Sequence, residues 1–231
     1  MEKRIRQFLL EHADPRFAEG QRRFFRHEVK TWGARGDAVK EIARQVYGEV
    51  KRWPAGARKE LMERLWNDGT LESGAVVCHV MRRFARTFSE REFLLFEQWL
   101  DRHVCNWAHT DGIASWLVAA CLANDPSLLE RVWEWTDSPS RWKRRAAAVS
   151  LVQEARHGRH TGFVLRVAKK LLPDRDDMVE KGVGWLLKEA YPRRPAEVVA
   201  FLLRERNSAS RLTLRYAAEK MTPDDRRKVL A

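Results

Sequence analysis

A tryptophan and a carboxylate stand four residues apart in Asn106-Trp107-Ala108-His109-Thr110-Asp111, a stretch that reads as a break between two helical patterns. An aromatic face and an aspartate are groups that stabilise a developing positive charge, the ring through its quadrupole and the carboxylate through Coulomb attraction. His109 between them has the chemistry of a general base. Each residue also has a plainer reading. Asp111 precedes Gly112-Ile113-Ala114-Ser115-Trp116-Leu117 and would serve as the cap of a helix starting there. A lone exposed histidine usually has no role.

A second candidate lies at Ser138-Pro139-Ser140, which opens a helix carrying Arg141, Trp142, Lys143, Arg144 and Arg145 in its first turns. The helix dipole is positive at that end and acidic residues are normally favoured there. Where a capping box would place Glu three residues after Ser140, the chain has Lys143. Free N–H groups and a cluster of cations make a phosphate-binding arrangement. The alternative is a solvated basic face with ion pairs to neighbouring helices.

The third candidate is Trp185, in Lys181-Gly182-Val183-Gly184-Trp185-Leu186-Leu187-Lys188-Glu189. At about 100° per residue it points away from the apolar stripe Val179, Val183, Leu186 and Ala190 and shares a side with Lys181, Gly182 and Lys188. The glycines weaken a helix but clear space beside its backbone. Burial against an adjacent repeat is the competing explanation. The other tryptophans, including Trp66, Trp99, Trp116 and Trp133, fit helix-packing positions.

The elements that must position these residues are helices. Apolar residues recur every three or four positions, as in Phe93, Phe96, Leu100 and Val104, and no comparable alternating run argues for strands. Helix-start chemistry recurs at Asp14-Pro15, Trp53-Pro54, Ser89 with Glu92, Asp125-Pro126-Ser127, Ser138-Pro139-Ser140, Arg194-Pro195 and Thr222-Pro223. Short helices joined by short turns, taken in pairs, give a period near the roughly 40 residues of HEAT-like repeats. The expected fold is an all-α, curved HEAT-like solenoid with a concave basic groove, residues 1–231 forming one repeat domain. A compact helical bundle is the alternative.

Lys and Arg number 44 against 32 Asp and Glu, a net charge of +12 with a pI near 10.0, which calls for an anionic partner. Nucleic acid leads. No apolar run approaches the roughly 20 residues of a spanning helix, and Phe8-Leu9-Leu10 is too short for the core of a secretory signal, so a cytoplasmic protein without membrane association is expected. Cys78, Cys105 and Cys121 are three widely spaced thiols with no disulfide or CxxC pattern, expected to be buried and free. No metal site and no cofactor are expected.

Together these pieces resemble the DNA alkylation repair family, the AlkD-like alkylpurine DNA glycosylases built from HEAT-like repeats. The match is carried by Asn106-Trp107 through Asp111, Arg141-Trp142-Lys143-Arg144-Arg145-Ala146-Ala147, Lys181 through Glu189, and Arg215-Tyr216-Ala217-Ala218-Glu219-Lys220-Met221. Leu65-Trp66-Asn67 adds a fragment nearer the N-terminus. The likeness covers about residues 55–222, and the first 50 residues match loosely.

The resemblance implies that Trp107 and Trp185 flank the modified nucleotide's sugar, that Asp111 is the catalytic carboxylate and that Arg145 clamps the DNA backbone. Arg141, Lys143, Arg144 and Lys181 are expected to add DNA contacts. The chemistry is consistent: a purine alkylated at N3 or N7 is cationic, so the C1′–N bond breaks without the protonated acid that ordinary glycosides need. The expectation is a monomeric, monofunctional glycosylase acting on double-stranded DNA that carries alkylated purines. A non-catalytic HEAT-like nucleic-acid-binding module is the second hypothesis, and a protein scaffold the third.

Overall fold

The computed structural model describes residues 1–25 and 28–231, which divide into two compact units, Met1–Thr87 and Phe88–Ala231. The fold is all-α. Among the described residues there is no β-strand, only isolated bridges such as Ala13 with Ala34.

The first unit holds α1 (Glu2–Glu11), α2 (Pro15–Phe24), α3 (Gly36–Val50), α4 (Ala55–Trp66) and α5 (Leu71–Met81), followed by a 3-10 turn over Arg82–Thr87. Its core is an aliphatic set including Ile5, Leu9, Ile42, Val46, Leu61, Leu65 and Val76. The loop before α3 is tied down by Glu72 of α5, whose buried carboxylate lies 2.6 Å from Thr31 Oγ1 and accepts from the backbone N–H groups of Trp32, Gly33 and Ala34. Gly33 sits there at φ 86°, and a Cβ on it would come within 2.3 Å of the Asp14 carbonyl oxygen, so this turn requires glycine.

The second unit continues with α6 (Glu90–Arg102), α7 (Trp107–Gly112), α8 (Ala119–Asn124), α9 (Leu129–Glu134), α10 (Arg141–Val149), α11 (Val152–His157), α12 (Thr161–Leu171), α13 (Asp177–Ala190), α14 (Pro195–Arg204), α15 (Arg211–Ala217) and α16 (Pro223–Leu230). The helix starts obey the sequence signals. Ser89 and Glu92 form a capping box, Asp14 and Ser140 cap α2 and α10, and Pro15, Pro195 and Pro223 stand at the openings of their helices.

Helices α7, α10, α13 and α15 stack side by side in one parallel layer. The contacts between them join residues at a steady offset: Asp111 with Arg145 (34 residues), Arg145 with Met178 (33), Arg141 with Asp177 (36) and Glu180 with Thr213 (33). This is helical-repeat architecture. Its period is shorter than the 40 expected, because the layer's helices run to only 6–14 residues. Two glycines of α13 set the spacing. A Cβ on Gly184 would lie 2.4 Å from Tyr216 Cβ and 3.1 Å from the Thr213 carbonyl oxygen, while one on Gly182 would lie 3.2 Å from Arg145 Cγ. The glycines therefore let α15 and α10 close in on the two flanks of α13.

Candidate active site

The stretch from Trp107 to Asp111 is helical, not a loop. The break falls just before it, and the helix cap is Asn106, whose Oδ1 accepts from the His109 N–H at 2.9 Å. Asp111 is the fifth residue of α7, so it does not cap a helix beginning at Gly112. The sequence is ambiguous here because Asn106, an equally good cap, lies five residues upstream. At a separation of four residues, Trp107 and Asp111 share one face of α7.

His109 is buried rather than exposed, with Nδ1 3.0 Å from Asn106 Nδ2. Its position holds the start of α7 and does not present a base to solvent. Directly after Asp111 the helix widens into a π-helical segment, Ile113–Val118, and Ser115 Oγ donates to the Asp111 carbonyl at 2.6 Å. Such a widened turn shifts the angular phase between the helical residues on its two sides. Beyond it α8 is buried through Ala119, Cys121 and Leu122, and before it α7 carries Trp107 and Asp111.

Both Asp111 carboxylate oxygens are held by one guanidinium. Arg145 Nε and Nη2 donate to Oδ1 and Oδ2 at 2.8 Å each, and Nη1 donates to the Met178 carbonyl at 2.5 Å. The Arg145 side chain is 7% exposed and that of Asp111 17% exposed, so of the two Asp111 is the more accessible. Burial holds the Asp111 carboxyl above its ordinary value, and the hydrogen bonds and charge of Arg145 oppose that rise without cancelling it. Gly182 leaves the room that Arg145 fills.

Arg145 thus stands as the holder of Asp111, with all three guanidinium nitrogens engaged within the protein. Reading the sequence did not reveal this pairing. A regularity goes with it: Asp111, Arg145, Lys181 and Arg215 are each the fifth residue of α7, α10, α13 and α15, and Asp111 and Arg145 lie 34 positions apart, within the offset at which these helices meet.

The other cations at the start of α10 are ion-paired. Arg141 meets Asp176 and Asp177 at 2.9 Å, Lys143 meets Asp101 at 2.8 Å and Glu97 at 3.2 Å, and Arg144 meets Asp174 at 2.6 Å. Lys181 pairs with Asp177 at 3.0 Å. In the free protein, then, this basic face is held by ion pairs to neighbouring segments and not left open for an anion. Each of these cations can contact a phosphate by exchanging a carboxylate for it.

On α13 the buried stripe is Val179, Val183, Leu186 and Ala190, as expected. With about 100° per residue, Lys181, Trp185 and Lys188 occupy the side between the two glycine flanks. Trp185 is half-buried there, one turn beyond Lys181. Among the remaining tryptophans, Trp66 and Trp99 are buried, whereas Trp116 and Trp133 are only partly so, Trp133 lying under the Arg166 guanidinium at 4.5 Å. Cys78 and Cys121 are buried free thiols held up at about 12 by burial, but Cys105 is exposed.

Comparison with known proteins settles the lineage. The model of the DNA alkylation repair enzyme family matches residues 5–221. The chain belongs to that family. The match begins well before residue 55, so the family region includes the N-terminal unit that resembled it only loosely. A solved structure described as a predicted DNA alkylation repair enzyme from Enterococcus faecalis superposes with a TM-score of 0.81 at 15% identity, covering 92% of this chain and 98% of that one. At that identity it establishes the fold alone. Among curated proteins nothing matches. Family membership places the protein in the repair of alkylated DNA. No helix among the described residues is long and apolar enough to cross a membrane.

Proposed function

We propose that this family member is a monofunctional DNA glycosylase that hydrolyses the bond between deoxyribose and a purine made cationic by N3 or N7 alkylation, acting as a monomer on double-stranded DNA. The observation that carries the reading is the doubly hydrogen-bonded pair of Asp111 and Arg145 on the helix face that also bears Trp107. A buried carboxylate without a partner would take up a proton. Arg145 opposes that uptake, and a charged carboxylate on a partly exposed side chain is what an oxocarbenium-like sugar needs.

In the reaction, the C1′–N bond breaks with its electron pair moving to the cationic purine, which departs neutral and needs no protonation. Positive charge develops on the sugar, where Asp111 opposes it and the ring faces of Trp107 and Trp185 add cation–π attraction. Asp111 also orients the water that attacks C1′ and takes its proton. Arg141, Lys143, Arg144 and Lys181 would bind phosphates in exchange for their carboxylate partners, giving a strongly salt-dependent affinity. Recognition on the sugar and backbone side, without a pocket enclosing the base, selects for a weakened glycosidic bond and tolerates bulky adducts.

The test is release of alkylpurine from methylated duplex by the Asp111→Asn variant. A loss of about 10²–10³ in single-turnover rate is expected from removing one electrostatic stabiliser. Unchanged release would sink the assignment. One observation favours a second reading, a non-catalytic nucleic-acid-binding module: both Asp111 oxygens are already occupied by Arg145, as in a structural ion pair. That reading predicts salt-sensitive duplex binding and no base release by the wild type even at enzyme excess.

A further inference from the structure

The parallel layer places equivalent residues of successive helices side by side, and its last helix repeats a position already seen to matter. Arg215 stands in α15 where Arg145 stands in α10, the fifth residue of the helix. Their circumstances are opposite. Arg145 is buried between Asp111 and the α13 backbone, whereas Arg215 is exposed, and among the described residues it forms no hydrogen bond or ion pair. Lys181, between them in the row, and Lys188 further along α13 are both paired with carboxylates, to Asp177 and Glu219. Arg215 is therefore a cation of this layer with nothing to exchange before it meets an anion.

Beside it, the Tyr216 side chain leans over α13, its Cβ in the space that Gly184 leaves open. The residue is half-buried and its hydroxyl has no hydrogen-bond partner among the described residues. Tyr216 is the next residue after Arg215, about 100° round the helix and on the flank of α15 that packs against Gly184 of α13. An unpartnered hydroxyl next to an unpartnered guanidinium, on the side that carries Lys181 and Trp185, matches the donors that position a nucleic-acid backbone.

We propose that Arg215, with the Tyr216 hydroxyl beside it, is a phosphate-contact site that fixes the duplex at a distance from the reacting sugar; the inference rests on the glycosylase reading for its substrate but not for its binding. Packed helices lie about 8–10 Å apart, so three spacings put α15 roughly 24–30 Å from α7. At 3.4 Å per step, that reaches about seven to nine base pairs from the nucleotide at Asp111. The contact anchors register and leaves the bond-breaking step alone.

The experiment measures binding of Arg215→Ala, Arg215→Lys and Tyr216→Phe to duplex DNA containing N7-methylguanine, across a salt series. Arg215→Ala is expected to weaken Kd about three- to tenfold and to reduce the slope of log Kd against log salt by about one. Arg215→Lys should recover most of the loss, and Tyr216→Phe should weaken binding about twofold. The single-turnover rate at saturating enzyme should stay at the wild-type value. Shortening the duplex to fewer than about seven base pairs on one side of the lesion should weaken wild-type binding and leave Arg215→Ala unaffected. Wild-type Kd and salt slope in Arg215→Ala would overturn the proposal. If Asp111→Asn excises normally while Arg215→Ala binds poorly, the glycosylase reading fails and the contact stands; the reverse pattern removes the contact alone.

Discussion

Two carboxylates are held in opposite ways in the two units. Glu72, 2% exposed in the first unit, is surrounded by Thr31 Oγ1 and three backbone N–H groups of one loop. Asp111 in the second unit is met by a single guanidinium and its side chain is 17% exposed. Neutral donors spread around Glu72 satisfy its lone pairs and pin the chain, leaving none for a substrate. A planar bidentate partner satisfies Asp111 from one side and leaves lone pairs pointing out. Burial and hydrogen bonding alone do not distinguish a structural acid from a reactive one. On the proposed reading, the directions from which the partners come do.

The strongest way to break that contrast is to exchange each acid for its amide. Asp111→Asn is expected to lose about 10²–10³ in excision rate, equivalent to roughly 3–4 kcal/mol of barrier. Glu72→Gln should behave inversely. Losing charge and turning an amide N–H toward a donor costs roughly 2 kcal/mol of stability, read in denaturant unfolding, while excision per folded molecule stays near wild type. A catalytic defect in Glu72→Gln with unchanged stability would erase the distinction.

A smaller effect comes from the glycines that set the helix spacing around Asp111's partner. Gly184→Ala puts a methyl within 2.4 Å of Tyr216 Cβ and 3.1 Å of a backbone oxygen, neither of which can swing away. Overpacking of that kind costs about 1–3 kcal/mol, partly offset by about 1 kcal/mol of helix propensity. Gly182→Ala meets the flexible Arg145 side chain, at 3.2 Å from its Cγ, and Val149 Cγ2 at an ordinary 3.6 Å, so its stability should change little and its excision rate should fall. Equal stability losses in the two variants would show that Gly182 merely spaces helices.

How much of the fold and the site is legible in the sequence depends on the kind of physics involved. Helix starts at Ser89, Asp14 and Ser140 and the buried stripe of α13 depend on local capping and periodicity, and the sequence displays both. The start of α7 is not legible, because Asn106 and Asp111 are both capable caps and only tertiary packing selects between them. The basic turn of α10 reads as open cations because its partners, Asp174, Asp176, Asp177, Glu97 and Asp101, come from other segments. Arg145 stands out through family likeness, but its buried pairing depends on Gly182 some 37 positions further along the chain, a separation at which no local pattern operates.

The subtlest separation concerns what Arg145 does, holding Asp111 or gripping the DNA backbone, and pH resolves it. On the proposed reading excision requires Asp111 ionised, so the rate should fall as pH drops through its pKa. Burial alone drives that pKa upward, and Arg145 opposes the rise with two hydrogen bonds and a charge. Replacing Arg145 by Met removes the opposition, so the folded-state pKa climbs and the acid limb of the single-turnover rate moves to higher pH. Arg145→Lys keeps the charge without the second hydrogen bond, and its limb should fall between the two. Above the shifted limb Asp111 is again ionised, and much of the rate should return. A backbone clamp predicts otherwise: a weaker Kd for duplex, a shallower salt slope and an acid limb left where the wild type has it.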